Sequence, residues 1–81
     1  MKVHVQFFSH LKDVMGTPEL DLEMPDRAKV SDLLDQLCAR APALRDWNNS
    51  ILIGAGVEFV DRAYLLQPNE SIAIMPPVQG G

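Results

Sequence analysis

Residues 2–8 alternate without a break. Val3, Val5 and Phe7 fall on one side of an extended chain, and Lys2, His4, Gln6 and Phe8 fall on the other. That period of two predicts a half-buried strand. Ser9 is placed to cap a short helix over residues 11–15, with Gly16 as its stop. Leu20, Leu22 and Met24 then alternate with Glu19, Asp21 and Glu23, predicting a second strand with an acidic outer side. Pro25 and Asp26 turn the chain. The period changes next. Val30, Leu33, Leu34, Leu37, Cys38 and Ala41 recur at the three- and four-residue spacing of one helical stripe, while Asp32, Asp35, Gln36 and Arg40 fall outside it. Pro42 ends this helix near Ala41.

The second half is strand-like again. A polar stretch over residues 45–50 leads into Ile51, Leu52 and Ile53, which read as a buried strand. Gly54 and Gly56 suggest a bulge or a close backbone approach, and residues 57–60 a short further strand. Gln67-Pro68-Asn69-Glu70 is a turn with its proline in a favoured position. Residues 71–75 form the last strand, and Pro76 ends it because proline has no amide hydrogen to give to a ladder. The order strand, strand, helix, strand, short strand, strand predicts an α+β protein of β-grasp, ubiquitin-like type. In it, one main helix covers one face of a mixed sheet of four or five strands, and a short helix follows the first strand. Residues 1–81 are expected to form a single domain, with 76–81 as an extended tail.

Composition narrows the function. With 47% hydrophobic residues among 81, the chain reads as globular, and it contains no apolar run of membrane-spanning length. The start alternates polar and apolar residues, unlike a signal peptide, so a cytoplasmic location is expected. Eleven acids against seven bases leave a net charge of −4 with no basic run, which argues against nucleic acid as a partner. Cys38 is the sole cysteine, and His4 and His10 lack metal-ligand spacing, so no metal site is expected. The tail, Pro76-Pro77-Val78-Gln79-Gly80-Gly81, is the distinctive chemistry. A Pro-Pro pair favours an extended thread that reaches about 15 Å beyond the sheet. Two glycines at the tip suit entry into a narrow cleft. The reactive group there is read as the α-carboxylate of Gly81.

The stretch Phe7-Phe8-Ser9-His10-Leu11-Lys12-Asp13 with Gly16, and the tail from Ile72 to Gly81, resemble the MoaD/ThiS family of ubiquitin-like sulfur carriers. Within that family the Pro-Pro pair is more similar to MoaD, the small subunits of molybdopterin synthase, than to ThiS. The resemblance spans nearly the whole chain. Gly56 stands where family members often have Asn, Pro68-Asn69-Glu70 where Asp-Gly-Asp is common, and Lys29 where a capping Thr is usual. The resemblance implies a carrier that is not an enzyme on its own and binds no permanent cofactor. An E1-like (MoeB-like) adenylyltransferase would use ATP to adenylate Gly81, and a sulfur donor protein would convert it to a thiocarboxylate. Pro76, Pro77, Val78, Gln79 and Gly80 would then enter a large, MoaE-like catalytic subunit, where sulfur passes to a cyclic pyranopterin monophosphate. Two alternatives remain: a ubiquitin-like protein modifier, and a sulfur carrier for thiamin or cysteine synthesis. A plain interaction module with an inert tail is the blander third.

Other residues are weighed by position. Cys38 lies on the apolar stripe, where an unpaired cysteine acts as a small buried hydrophobe. Trp47 precedes the third strand and is assigned to packing. Phe8 and Met75 both face away from the helix. Because the first and last strands are central neighbours in a β-grasp sheet, these two are expected to share an apolar patch that docks a partner.

Overall fold

The structure is a computed structural model and describes residues 1–77. The first alternating run forms β1 (Lys2–Phe7), and the acidic run pairs with it antiparallel as β2 (Glu19–Glu23). The three polar positions of β1 meet the three acids directly: Lys2 lies opposite Glu23, His4 opposite Asp21 and Gln6 opposite Glu19. Val3 and Val5 consequently face inward with Leu22 and Leu20. Between these strands lies α1 (Leu11–Met15), which Gly16 ends in the left-handed region at φ 76°. Ser9 does not cap α1. It adopts φ 57° in the turn, and His10 occupies the cap position without a side-chain bond. With positive φ, Ser9 lacks the extended backbone from which a capping side chain reaches the first-turn amides. Leu11 is fully buried and anchors α1 to the core.

The long helix α2 (Val30–Arg40) buries Val30, Leu33, Leu34, Leu37 and Cys38, the stripe its spacing predicts. Its first turn explains why Lys29 suffices at the cap. The Val30 and Ser31 amides donate to the Tyr64 and Arg62 carbonyls at 3.0 Å each, so the segment following β4 satisfies donors that a capping side chain usually meets. The Asp32 carboxylate reaches back and accepts from the Lys29 amide at 2.9 Å. Pro42–Asp46 form a 3-10 helix that drives Leu44 fully into the core. A single leucine among Pro, Arg and Asp carries no periodic signal, because a 3-10 turn this short buries only one residue.

A two-residue turn at Gly56 and Val57 joins β3 (Leu52–Ala55) to β4 (Glu58–Val60), with Ala55 opposite Glu58. Gly56 has φ 64°, as the first position of such a turn requires, so it marks a hairpin and not a bulge. The last strand is β5 (Ser71–Met75), preceded by Pro68 and Asn69 at the centre of a turn. Asn69 takes φ 61°, and the Glu70 amide closes the turn on the Gln67 carbonyl at 3.2 Å. The strand order is β2-β1-β5-β3-β4, with β1 and β5 parallel and the other pairs antiparallel. One core cluster lies between this sheet and α2, extended by Leu44, Ile51 and Leu66. This is the expected β-grasp arrangement: a mixed five-stranded sheet, a main helix on one face, and a short helix after the first strand.

Candidate functional site

The site follows from the central position of β5. Parallel to β1 and antiparallel to β3, it brings the ends of β1 and β5 to the same end of the sheet. There the Phe8 amide still donates to the Ile74 carbonyl at 3.1 Å, continuing the pairing past the end of β1. Phe8 therefore comes alongside Met75. Pro76 and Pro77 follow directly and are half-buried, so the chain leaves the sheet from its middle and not from an edge. Val78, Gln79, Gly80 and Gly81 lie outside the described residues.

The face turned away from α2 divides into two chemically distinct halves. On one side, β2 and β1 present Glu19, Asp21, Glu23, Lys2 and His4. His4 is held between carboxylates. Its Nδ1 donates to Asp21 Oδ1 at 2.7 Å, and its Nε2 lies 3.8 Å from Glu19 Oε2. Lys2 Nζ is 3.9 Å from the other Asp21 oxygen. On the other side, β5, β3 and β4 present Ala73, Met75, Leu52, Gly54 and Phe59, with Met75 opposite Leu52 and Gly54 between Ala73 and Phe59. Phe59 is 71% exposed and Phe8 is 44% exposed, so this half is an apolar surface open to solvent beside the root of the tail.

Alternation along the chain points to Phe8 and Met75 but not to Leu52 and Phe59. Leu52 reads from the sequence as part of a buried strand. Only its neighbours Ile51 and Ile53 face the core, and Leu52 points outward across from Met75. Phe59 alternates with the more buried Val60, a signal too short to read over three residues. The hairpin register that sets it over Gly54 is visible only with β3 and β4 paired.

The hydrogen bond from His4, chiefly, holds the Asp21 carboxyl below its ordinary value near 3.8, and Lys2 adds to the effect. A carboxyl depressed in the folded state contributes stability above its unfolded pKa and loses it as pH falls through the folded value. Replacing Asp21 with Asn should therefore flatten the fall in stability below about pH 4, and His4→Gln should move it toward Asp21→Asn. Urea midpoints measured across that range check the effect, and unchanged acid limbs in both variants would contradict it.

Cys38 is buried in the core, and burial pushes its thiol up from the ordinary value. That suits packing and disfavours nucleophilic chemistry. Trp47 packs against the core, as its position implies, and its ring also meets that of His10 at a tilt of 53° with centroids 4.5 Å apart. Among the described residues no group of three His, Cys, Asp or Glu is placed to hold a metal ion. No helix among them is long and apolar enough to cross a membrane.

Comparison with known proteins adds three likenesses. The molybdopterin synthase sulfur carrier subunit of Chlamydomonas reinhardtii is 31% identical over 83 residues, spanning 100% of both chains. The small archaeal modifier protein 1 of Methanosarcina acetivorans superposes with a TM-score of 0.79 at 32% identity, over 99% of this chain and 96% of that one. A chain in the complex of subunits 1 and 2 of molybdopterin-converting factor from Helicobacter pylori has the same fold, with a TM-score of 0.69 at 21% identity over 100% of both chains. The ThiS family model matches residues 5–81, from the middle of β1 through the last residue. A β-grasp sheet whose central strand leads into a Pro-Pro-Val-Gln-Gly-Gly tail, matched over nearly its whole length, makes this chain a member of the ThiS family.

Proposed function

We propose that the protein is the sulfur carrier subunit of a molybdopterin synthase. The observation that carries this reading is the full-length likeness to the carrier subunit of Chlamydomonas reinhardtii, together with a central strand that delivers Pro76 and Pro77 beside an exposed apolar face. In this reading residues 76–81 are the tail of a single domain, and Gly81 bears the reacting carboxylate. A carboxylate is a poor acyl donor, because its leaving group would be oxide. Attack of the Gly81 carboxylate on the α-phosphorus of ATP, on an E1-like adenylyltransferase, releases pyrophosphate and leaves an acyl adenylate. A persulfide on a sulfur donor protein displaces AMP, and a thiol cleaves the resulting acyl disulfide to leave the thiocarboxylate. The tail residues Pro76 to Gly80 then thread Gly81 into the large subunit, where the sulfur passes to a cyclic pyranopterin monophosphate on the way to a dithiolene.

The division of labour is physical. This chain supplies a slender arm and a docking face, and the partner supplies the acid, base and oxyanion groups. A large-subunit partner is supported by the Helicobacter pylori structure, in which subunits 1 and 2 of molybdopterin-converting factor form a complex. The reaction takes place in the cytoplasm, and ATP is bound by the activating enzyme and not by this chain. The test is reconstitution with adenylyltransferase, ATP, a sulfur donor and the large subunit. Intact mass should show one oxygen of the chain exchanged for sulfur, and dithiolene product should follow. Product without that exchange would overturn the proposal.

Docking on the Phe8–Met75 face makes a separate prediction. An Asp at Met75 would bury an unpaired charge against the partner, weakening the complex by about 1–3 kcal/mol, roughly 5- to 150-fold in Kd. Folding should be little affected, since Met75 lies on the face away from the core. Titration with the large subunit measures this, and an unchanged Kd removes Met75 from the interface.

A second reading is favoured by the likeness to small archaeal modifier protein 1. The same adenylate can be captured by a lysine amine, joining Gly81 to target proteins. Mass spectrometry of the protein from its source cells separates the two, since branched lysine conjugates mark a modifier and the sulfur exchange marks a carrier. Thiamin or cysteine synthesis remains an alternative destination for the sulfur, distinguished by which product forms in reconstitution.

A further inference from the structure

We infer that Gly54 shapes the docking face: it lets the Met75 side chain lie flat across the middle of the sheet, so that the large subunit meets a shallow apolar hollow and not a ridge. The inference rests on the partner reading given above.

Gly54 sits in the interior of β3, where glycine is a poor choice for a strand. Backbone geometry does not demand it. Gly16 and Gly56 have positive φ, and Gly54 does not. It lies on the sheet's outer side, yet it is buried. The reason is Met75. A Cβ at position 54 would stand 3.2 Å from Met75 Cε, against 3.6 Å from Ala73 Cβ and 3.9 Å from the Glu58 carbonyl oxygen. The one tight contact is thus the far tip of a flexible thioether, which can move at little cost to the fold.

That asymmetry separates shape from stability. Any side chain at position 54 lifts Met75 outward, between exposed Phe8 on the β1 side and exposed Phe59 on the β4 side. The floor of small residues, Gly54 and Ala73, then becomes a ridge. Met75 immediately precedes Pro76, so a partner that encloses the tail must seat itself over this spot. Core-like shape complementarity at the centre of an interface determines most of its affinity.

The experiment is a double-mutant cycle of Gly54→Val and Met75→Ala, titrated against the large synthase subunit, with thermal melts alongside. Gly54→Val adds a β-branched residue to a strand, so its melting temperature should equal or exceed the parent's. Its affinity should nonetheless fall about tenfold. In the Met75→Ala background the same valine should cost no more than about twofold, because the displaced tip is gone and the two sites couple. Gly54→Ala provides the same readout in a smaller step should valine lower the melting temperature. Parent-like affinity of a folded Gly54 variant, or an equal loss with and without Met75, overturns the inference while leaving the carrier reading intact. A parent chain that does not bind the large subunit at all overturns the partner reading and this inference with it.

Discussion

Deleting Gly81 is expected to abolish sulfur delivery while leaving folding and docking intact. Among the described residues the core cluster is built from residues 3–74, and the expectation is that it forms without Gly81. The shortened chain would still end in a glycine carboxylate, at Gly80. Its carboxyl carbon would fall short of the reaction position by one residue, about 3 Å along an extended chain. Misplacement of reacting groups by about 1 Å can cost on the order of 100-fold in rate, so a loss beyond detection is expected for three times that distance. A residue added after Gly81 should fail too, because it moves the carboxylate and forces a side chain into a channel suited to glycine. The assay reads dithiolene product with purified adenylyltransferase, ATP, sulfur donor and large subunit. Gel filtration of the truncated chain with the large subunit provides the control. Full product from the truncated chain would refute both the tail chemistry and the carrier reading.

Leu37→Ala should have the largest effect on stability. Leu37 is fully buried on the stripe by which α2 faces the sheet. Alanine is the better helix former, so the loss would come from packing and not from helix propensity. Truncating a buried leucine costs about 2–5 kcal/mol, a large part of what a domain of this size has to spare. The melting temperature should fall by about 10 °C or more. Gln36, next to it in sequence, is exposed, and Gln36→Ala should stay within about 0.5 kcal/mol of the parent. Urea unfolding of the two variants side by side checks the orientation of α2, and similar midpoints would show that the stripe is misassigned.

Elements with a long, unmixed period can be read directly. The α2 stripe runs for about three turns, and only one face of a helix satisfies it. β1 and β5 alternate over six and five residues, and their inward residues are those found buried: Val3, Val5, Phe7, Ile72 and Ile74. The turn at Pro68 and Asn69 is legible because Pro sets one dihedral and Asn tolerates the positive φ that follows. The Pro-Pro-Val-Gln-Gly-Gly tail is legible for another reason. The motif resides in the order of residues along the chain, and no neighbour from elsewhere in the fold is needed to recognise it.

Features that depend on pairing are not legible. The residues Leu52, Gly54 and Phe59 that surround Met75 come from two strands, which a tight turn separates from each other and a long loop separates from β5. Their placement depends on the register of β3 against both β4 and β5, and a shift of one residue would turn each strand over. Leu52 misleads because three consecutive apolar residues show no alternation, although the strand they belong to has a solvent side. Leu44 escapes notice because it is the single buried residue of a five-residue 3-10 helix. The cap of α2 is obscure because its amides are satisfied from residues 62 and 64, far along the chain.

Local order along the chain thus contains the elements, the topology class and the tail motif, because periodicity, dihedral preference and residue order are properties of neighbours in sequence. The site around the tail comes from strand pairing. Phe8 and Met75 are already expected to be neighbours from the alternation of β1 and β5 and the topology class, whereas pairing β3 onto β5 and β4 onto β3 adds Leu52 opposite Met75 and Phe59 over Gly54. The register of β3 on β5 and of β4 on β3 is decided by hydrogen bonding between distant residues, and the short runs over residues 51–60, with no clear alternation, do not encode it.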